Sequence, residues 1–335
     1  MKILITGAFG NVGRSTVSAC LTEGDELTLL EADTKKTRAL AQRLLKGWAN
    51  SSKVPRIVLG DVRDPDLARR LVVGQHAVLH LAALIPPAAD RFPELAHSVN
   101  VGGTVNLIAA CLQAGEVPGA STPRFVLASS IAAYGDRVDN YWISTGDPLT
   151  PSPGDEYAAT KIEAETLLRN SGLPFVILRL AAIMWRKKLD PDPLLFHMPL
   201  GTKLEICHTE DTGRAFAKAA RRESIEGHTF DIGGGASCRT DYRSFLDKLF
   251  DLIGLGGIDA FPAAAFAHSG FHCGWYADSD EADACLCFRR KGLEDFYAEV
   301  KEEMRRIRPW AALVAPIVRA RMLAASPFLR MKTDP

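Results

Sequence analysis

Three glycines, Gly7, Gly10 and Gly13, stand between the apolar run Lys2–Thr6 and a segment of helical spacing, Asn11–Glu23. In Thr6-Gly7-Ala8-Phe9-Gly10-Asn11-Val12-Gly13 the first glycine permits a tight turn directly after a buried strand. The second lets backbone approach a pyrophosphate, and the third lets the helix pack closely on the strand. A helix that begins here points its free N–H groups and the positive end of its dipole at the phosphates. The pattern therefore predicts a parallel α/β sheet whose first strand–helix turn holds a dinucleotide. Glu31 closes the next apolar run, Leu27–Leu30. A carboxylate there accepts hydrogen bonds from the adenosine ribose and repels a 2′-phosphate, which favours NAD. Arg14, Lys35 and Lys36 leave NADP as the alternative.

The first half of the chain keeps this alternation. Arg56–Leu59, Ala77–Leu81, Arg124–Ala128 and Phe175–Leu178 read as buried strands. Thr34–Lys46, Asp66–Val73, Glu94–Ala114 and Asp155–Asn170 read as helices between them. Near-continuous apolar strands alternating with helices imply an α/β fold with a doubly wound, mostly parallel Rossmann sheet covered on both faces. Residues 1–180 form this domain, and 205–235 return to it with a helix at Arg214–Arg222 and a strand at Gly227–Ile232. Residues 181–204 and 236–300 form a smaller C-terminal substrate lobe, followed by an apolar and basic tail over 301–335. With 335 residues, 47% of them hydrophobic, the chain has ample material for these cores.

Charge narrows the partners. Forty basic and forty acidic side chains cancel, so no global field draws in nucleic acid or an anionic membrane. The N-terminus lacks the order of charged leader, apolar stretch and small-residue cleavage site, and no apolar run is expected to span a bilayer. Seven scattered cysteines, an odd number, suit reduced thiols in the cytoplasm. Cys207–His208 and His272–Cys273 are the nearest approach to a metal-ligand pattern, and no metal site is expected.

Tyr157 and Lys161 lie one helical turn apart, at the start of a helix. A cation beside a phenol stabilises the phenolate and tunes it toward proton transfer near neutral pH. Ser129 and Ser130 end the strand Arg124–Ala128, at the edge where open parallel sheets bind ligands. Ser130 is placed to bond the substrate oxygen, leaving Ser129 to cap the turn. Ser130, Tyr157 and Lys161 form a catalytic set for hydride transfer at a secondary alcohol or ketone carbon.

The order of these segments resembles the extended short-chain dehydrogenase/reductases, the NAD-dependent epimerase/dehydratase group. The resemblance runs through Thr6–Gly13, Gly60-Asp61-Val62, Leu81-Ala82-Ala83, Asn100-Val101-x-Gly103-Thr104, Ser129-Ser130, Tyr134-Gly135, Tyr157-x-x-x-Lys161, His208-Thr209-Glu210-Asp211 and Phe230-Asp231-Ile232-Gly233. It covers roughly residues 1–235. It implies that Tyr157 is the general acid/base, that Lys161 lowers its pKa and holds ribose, and that Ser130 orients the substrate. It assigns Gly7, Phe9, Gly10, Asn11, Val12, Gly13, Glu31, Asp61, Val62, Leu81, Ala82, Ala83 and Asn100 to the dinucleotide, with Tyr157 and Lys161. It also implies a homodimer through Asn100–Ala114 and Tyr157–Asn170.

The pattern departs from the nucleotide-sugar members of that group. Arg179-Leu180-Ala181-Ala182-Ile183-Met184-Trp185 carries no polar side chain after its arginine. The cations expected before His208 and before Tyr276 are missing, and Lys203, Arg239 and Arg243 are the substitutes at hand. Ile85, Pro86, Pro87, Ile183, Met184, Trp185, Phe196, Met198 and Phe271 imply an apolar pocket, with Ile85, Ser130, Ile183 and Met184 as substrate contacts. A nucleotide-sugar epimerase or dehydratase is the rival reading, and a non-catalytic dinucleotide sensor a third. The tail from Trp310 to Lys332 is expected either to dock on the protein or to lie at a membrane surface.

Overall fold

The computed structural model describes residues 1–48, 53–184 and 193–330. The first elements alternate as β1 (Lys2–Thr6), α1 (Asn11–Thr22), β2 (Glu26–Glu31), α2 (Lys35–Trp48), β3 (Arg56–Leu59), α3 (Pro65–Val72) and β4 (Ala77–His80). Two short helices, α4 (Ala88–Arg91) and α5 (Pro93–His97), lead through a π turn at Ser98–Gly102 into α6 (Gly103–Gly115). Then come β5 (Arg124–Ser130), β6 (Trp142–Ile143), α7 (Glu156–Arg169), β7 (Phe175–Leu180), β8 (Ala182–Ile183), β9 (Lys203–Cys207), α8 (Thr209–Ala219) and β10 (His228–Ile232).

Seven strands pair in parallel in the order β10-β7-β5-β4-β1-β2-β3. The chain winds outward from β1 through β2 and β3, then restarts on the other side with β4. This reversal opens a crevice at the carboxyl ends of β1 and β4, where such sheets bind ligands. One face is covered by α1, α2 and α8, packed as a core with Val17, Cys20, Ala41 and Phe216. The other is covered by α3, α6 and α7 through Ala68, Leu71, Cys111, Ala164 and Leu168. Side-chain caps set the helix starts: Asp64 accepts from Asp66 N and Leu67 N, and Asp155 from Ala158 N.

The structure corrects two expectations. The helix Pro93–Gly115 is long and apolar enough, by length and composition, to cross a bilayer, with half of its apolar window buried inside the protein. Leu107, Ala110, Cys111 and Ala114 face the core, so its hydropathy is that of a helix covering a sheet. The return to the main domain also begins later than residue 205. β9 joins β8 in parallel and β11 (Arg239–Asp241) antiparallel, so it belongs to the smaller lobe. The returning helix α8 starts at Thr209 rather than Arg214, because His208 Nδ1 accepts from Glu210 N at 3.2 Å and caps it.

The smaller lobe holds α9 (Tyr242–Leu252), β12 (Trp275–Tyr276), α10 (Ser279–Leu286) and α11 (Leu293–Met304). Its core contains Met184, Phe196, Leu246, Phe250, Phe266, Phe296 and Met304. The tail forms α12 (Arg308–Ala324) and α13 (Pro327–Arg330). Ala315 and Met322 of α12 join the same core, so the tail docks on its own lobe.

Candidate active site

The glycine loop is held by contacts that leave no room for side chains. Gly7 has φ +67°, and a Cβ there would lie 2.7 Å from Ala82 N. A Cβ on Gly13 would lie 2.1 Å from Gly7 O. At Gly10 an added Cβ meets only Gly7 O, at 3.3 Å, so this glycine opens onto the crevice. Phe9 N donates to Glu31 Oε2 at 2.8 Å and Ala32 N to Oε1 at 3.1 Å, tying the loop to the end of β2. Beside them the Arg63 guanidinium grips Asp61 and holds its carboxyl below the usual range.

These residues line a cleft of about 880 Å³, within the usual size of a small-molecule site. Gly7, Gly10, Asn11, Val12, Gly13, Glu31, Asp61, Val62, Leu81, Ala82 and Ala83 face it at one end. Ile85, Ser130, Tyr157, Lys161 and Ile183 face it at the other. Asp33, Arg63, Leu84, Val99, Leu180 and Ala181 also line it, and sequence reasoning missed them because each lies beside a motif rather than in one. The glycine cradle, the start of α1 and the two carboxylates suit a dinucleotide.

Three assigned residues stand elsewhere. The Phe9 side chain is buried in the core of the main domain, so only its backbone shapes the loop. Asn100 does not face the cleft. Its Oδ1 accepts from Leu84 N at 2.7 Å, and its Nδ2 donates to Leu84 O and Thr160 Oγ1. It pins the segment after β4 to α7, a structural task. Met184 is buried in the core of the smaller lobe with Phe196, and Met198 and Phe271 pack against that core, so these apolar residues build the lobe rather than the pocket. Trp185 lies outside the described residues.

The turn cap expected of Ser129 falls to Ser130, which also lines the cleft. Ser130 Oγ accepts from Ala132 N at 3.2 Å and so caps the following turn. Ser130 also lowers the pKa of the Tyr157 phenol. Ser129 Oγ instead donates to Glu165 Oε1 at 2.5 Å, inside the protein. Glu165 also receives Arg179 Nε at 2.9 Å and Nη2 at 2.7 Å, and Arg169 Nη2 at 3.2 Å. Burial opposes the charge on Glu165, but these partners outweigh it and hold the carboxyl below its ordinary value. Arg179 Nη1 donates onward to Tyr134 Oη, which donates to Asp231. This network beneath the site was missed; its only signal was charge inside apolar runs.

The pKa values differ from the expected tuning. Tyr157 is pushed up to about 12, chiefly by burial, with Ser130 pulling the other way and Asp155 adding to the rise. Lys161 Nζ donates to Ala128 O at 2.8 Å and stands 5.6 Å from the phenol ring centre. Burial pushes Lys161 down to about 8 against the pull of Glu165. His80, bridging Thr6 Oγ1 at 2.7 Å and Thr104 Oγ1 at 3.1 Å, is driven to about 3 by burial and by Lys161, so it stays neutral.

The cations considered for a diphosphate are engaged elsewhere. Arg239 Nε bonds buried Glu205 at 2.9 Å and its guanidinium covers the Trp142 ring. Arg243 pairs with Asp259, and Lys203 lies over the Trp275 ring. None of the three lines the cleft. Cys207 is buried against Thr212, and His272 pairs with Asp155 at 3.4 Å. His208, Glu210 and Glu299 place ligand-type atoms within 4.8 Å of one another. Lys291 Nζ already bonds both carboxylates, at 3.0 and 2.5 Å.

Comparisons with known proteins agree with this geometry. The chain is 28% identical over 183 residues to mouse (Mus musculus) 3 beta-hydroxysteroid dehydrogenase type 7, covering 52% of this chain and 47% of that protein. It is 29% identical over 175 residues to UDP-glucose 4-epimerase of Erwinia amylovora, 51% of this chain and 48% of the other. The matched region thus spans about half the length of these relatives. Among solved structures, MoeE5 in complex with UDP-glucuronic acid and NAD superposes with a TM-score of 0.70 at 23% identity, covering 92% of this chain and all of that one. UDP-glucose-4-epimerase from Stenotrophomonas maltophila with bound NAD gives 0.73 at 19% identity, covering 93% of this chain and 100% of that one. Both share the fold. The profile of the NAD dependent epimerase/dehydratase family matches residues 3–184, more than half of the sequence. The chain belongs to the NAD dependent epimerase/dehydratase family.

Proposed function

We propose that this protein is an NAD-dependent oxidoreductase acting on a secondary alcohol or ketone of a small, largely apolar substrate. One observation carries the reading: Ser130, Tyr157 and Lys161 meet in the same cleft as the glycine loop, at the carboxyl edge of the sheet. NAD, when bound, supplies the hydride acceptor at the carbinol carbon or the donor in the reverse direction. Gly7, Gly10 and Gly13 would hold its phosphates, Glu31 and Asp61 its adenosine half, and Lys161 its second ribose.

The chain's own groups then handle the proton. Tyr157, with its phenol pushed up to about 12, is protonated near neutral pH and so carries the proton that a carbonyl oxygen takes up. In the reverse direction the phenol must lose its proton first, and positive charge in the cleft favours that. Ser130 lines the cleft with the phenol and orients the substrate oxygen, fixing the line of transfer. Beyond them Leu84, Ile85, Val99, Leu180, Ala181 and Ile183 offer an apolar wall. That wall, and the placement of Arg239 and Arg243 outside the cleft lining, favour an apolar alcohol over a nucleotide diphosphate. The steroid alcohol in the name of the mouse relative points the same way. Exposed Leu95, Val105 and Leu112 on the helix Pro93–Gly115 support a homodimer, and seven free thiols support a cytoplasmic home.

The test is Tyr157→Phe in the purified protein. Turnover of secondary-alcohol substrates with NAD is expected to fall ~10²–10⁴-fold, the usual weight of a general acid/base, while NAD binding stays within about threefold. Unchanged turnover refutes the assignment. A cofactor that remains bound and is not exchanged during turnover would favour the epimerase or dehydratase reading.

A further inference from the structure

The tail helix α12 presents an apolar ridge to solvent. Trp310, Leu313, Val314 and Ile317 follow i, i+3, i+4, i+7 spacing, and Ile307 extends the line by one turn. Their exposures run from 46% at Val314 to 73% at Leu313. The opposite face is firmly seated. Ala315 and Met322 are buried in the lobe core, with Val318 and Leu323 packed against it. Arg308 Nε donates to Asp251 O at 3.1 Å, and Arg319 Nη1 to Leu255 O at 2.9 Å. Below the helix, Ser326 Oγ donates to Ala265 O at 2.6 Å and fixes the exit of the chain. The ridge is therefore held outward by the fold, not left over from a loose terminus.

Charge around the ridge is mostly basic, with Glu302 on Arg305 at 3.2 Å and Asp251 on Arg308 at 3.2 Å as acidic partners at its start. From Met304 to Thr333 the sequence has seven basic residues and no acidic one, in a chain whose net charge is zero. Arg305, Arg306 and Arg308 precede the ridge, and Arg319 and Arg321 follow it; Arg305, Arg306 and Arg321 are exposed. An apolar ridge with a tryptophan, flanked at both ends by arginine, matches the headgroup zone of an anionic bilayer. A second copy of the chain fits less well. A two-fold interface on this ridge pairs a basic end with a basic end whichever way the helices run.

We propose that α12 is an in-plane membrane anchor. It lays Ile307, Trp310, Leu313, Val314 and Ile317 at the headgroup–acyl boundary of an acidic phospholipid surface, with the arginines on lipid phosphates. The helix does not cross the bilayer, because its other face is part of the lobe core. The proposal stands apart from the identity of the substrate and needs no catalytic group.

The test is sedimentation of the full-length protein with vesicles of phosphatidylcholine alone and of phosphatidylcholine mixed with phosphatidylserine, with its oligomeric state measured by analytical ultracentrifugation. Three exposed arginines at an anionic surface set the expected preference for the mixed vesicles on the order of a hundredfold, declining as salt is raised. A triple variant, Trp310→Ser, Leu313→Ser and Ile317→Ser, is expected to lose vesicle binding while keeping its circular dichroism and thermal midpoint, since all three side chains are exposed. Equal binding to both vesicles overturns the anionic part of the proposal. No binding, with a dimer that the triple variant dissociates, makes the ridge an interface between copies and overturns it outright. No binding by a species with no such dimer also overturns it.

Discussion

Glu165→Gln is a demanding test of the network beneath the site. Glu165 is 1% exposed and Arg179 is 3% exposed at their side chains. The carboxylate takes two bonds from Arg179, one from Ser129 and one from Arg169. An amide of the same shape preserves packing but leaves the Arg179 charge buried without its counter-ion. Breaking one partner of a buried pair costs ~3–5 kcal/mol. For a chain of this length the unfolding entropy is about 0.7 kcal/mol/K, so the midpoint is expected to fall by about 4–7 °C in a thermal scan. The pH dependence follows from the direction of the shift. Glu165 is held below its unfolded value, so its contribution is present above about pH 4.3 and is lost as pH falls through the folded pKa. The gap between wild type and variant is therefore expected to close in acid. A second readout reports on function. Glu165 supports the charge on Lys161, which burial has pushed down to about 8. A carboxylate about 6 Å away at an effective dielectric near 20 is worth ~2–3 kcal/mol, reduced by whatever water reaches the cleft. Its removal is expected to move the alkaline limb of the rate profile down by about one to two pH units. A midpoint within about 1 °C of wild type, together with an unmoved limb, refutes the reasoning.

Two further substitutions address the carboxylates. Burial, with Asp278 as a close neighbour, raises the Asp231 carboxyl well above its usual value. A raised group stabilises fully below the unfolded pKa near 4 and loses that contribution as pH rises through the folded value. Asp231→Asn is thus expected to gain on wild type in thermal midpoint as pH increases; a constant difference between pH 5 and 9 speaks against a raised Asp231 pKa. Glu31→Ser removes the negative charge at the end of β2 and is expected to shift the NAD/NADP preference toward NADP by about ten- to a hundredfold, read as the ratio of kcat/KM values. An unchanged ratio means that Glu31 does not face the adenosine ribose.

The parts of the site legible in advance are those written in local pattern. The glycine spacing demanded backbone without side chains, and the structure gives the reason atom by atom at Gly7 and Gly13. Apolar runs alternating with helical segments announced the parallel sheet, and Tyr157 and Lys161 were tied by helical pitch. Where reading failed, the deciding contact came from far along the chain. Ser129 and Ser130 are chemically equal in sequence; Glu165 of α7 claims one, and Ala132 N of the following turn claims the other. Met184 looked like a pocket residue until the smaller lobe closed over it. Asn100 looked like a ligand contact, yet its three bonds hold the chain to itself.

Local pattern in the sequence sufficed for the doubly wound sheet and the glycine turn. Each of these depends on backbone conformation or on periodicity over a few residues, which neighbours in the chain dictate. Which polar groups are buried, which cations line the cleft, and which face of α12 meets solvent follow from packing alone. Those are matters of desolvation and pairing between segments many residues apart, and their energies exist only after the elements have packed.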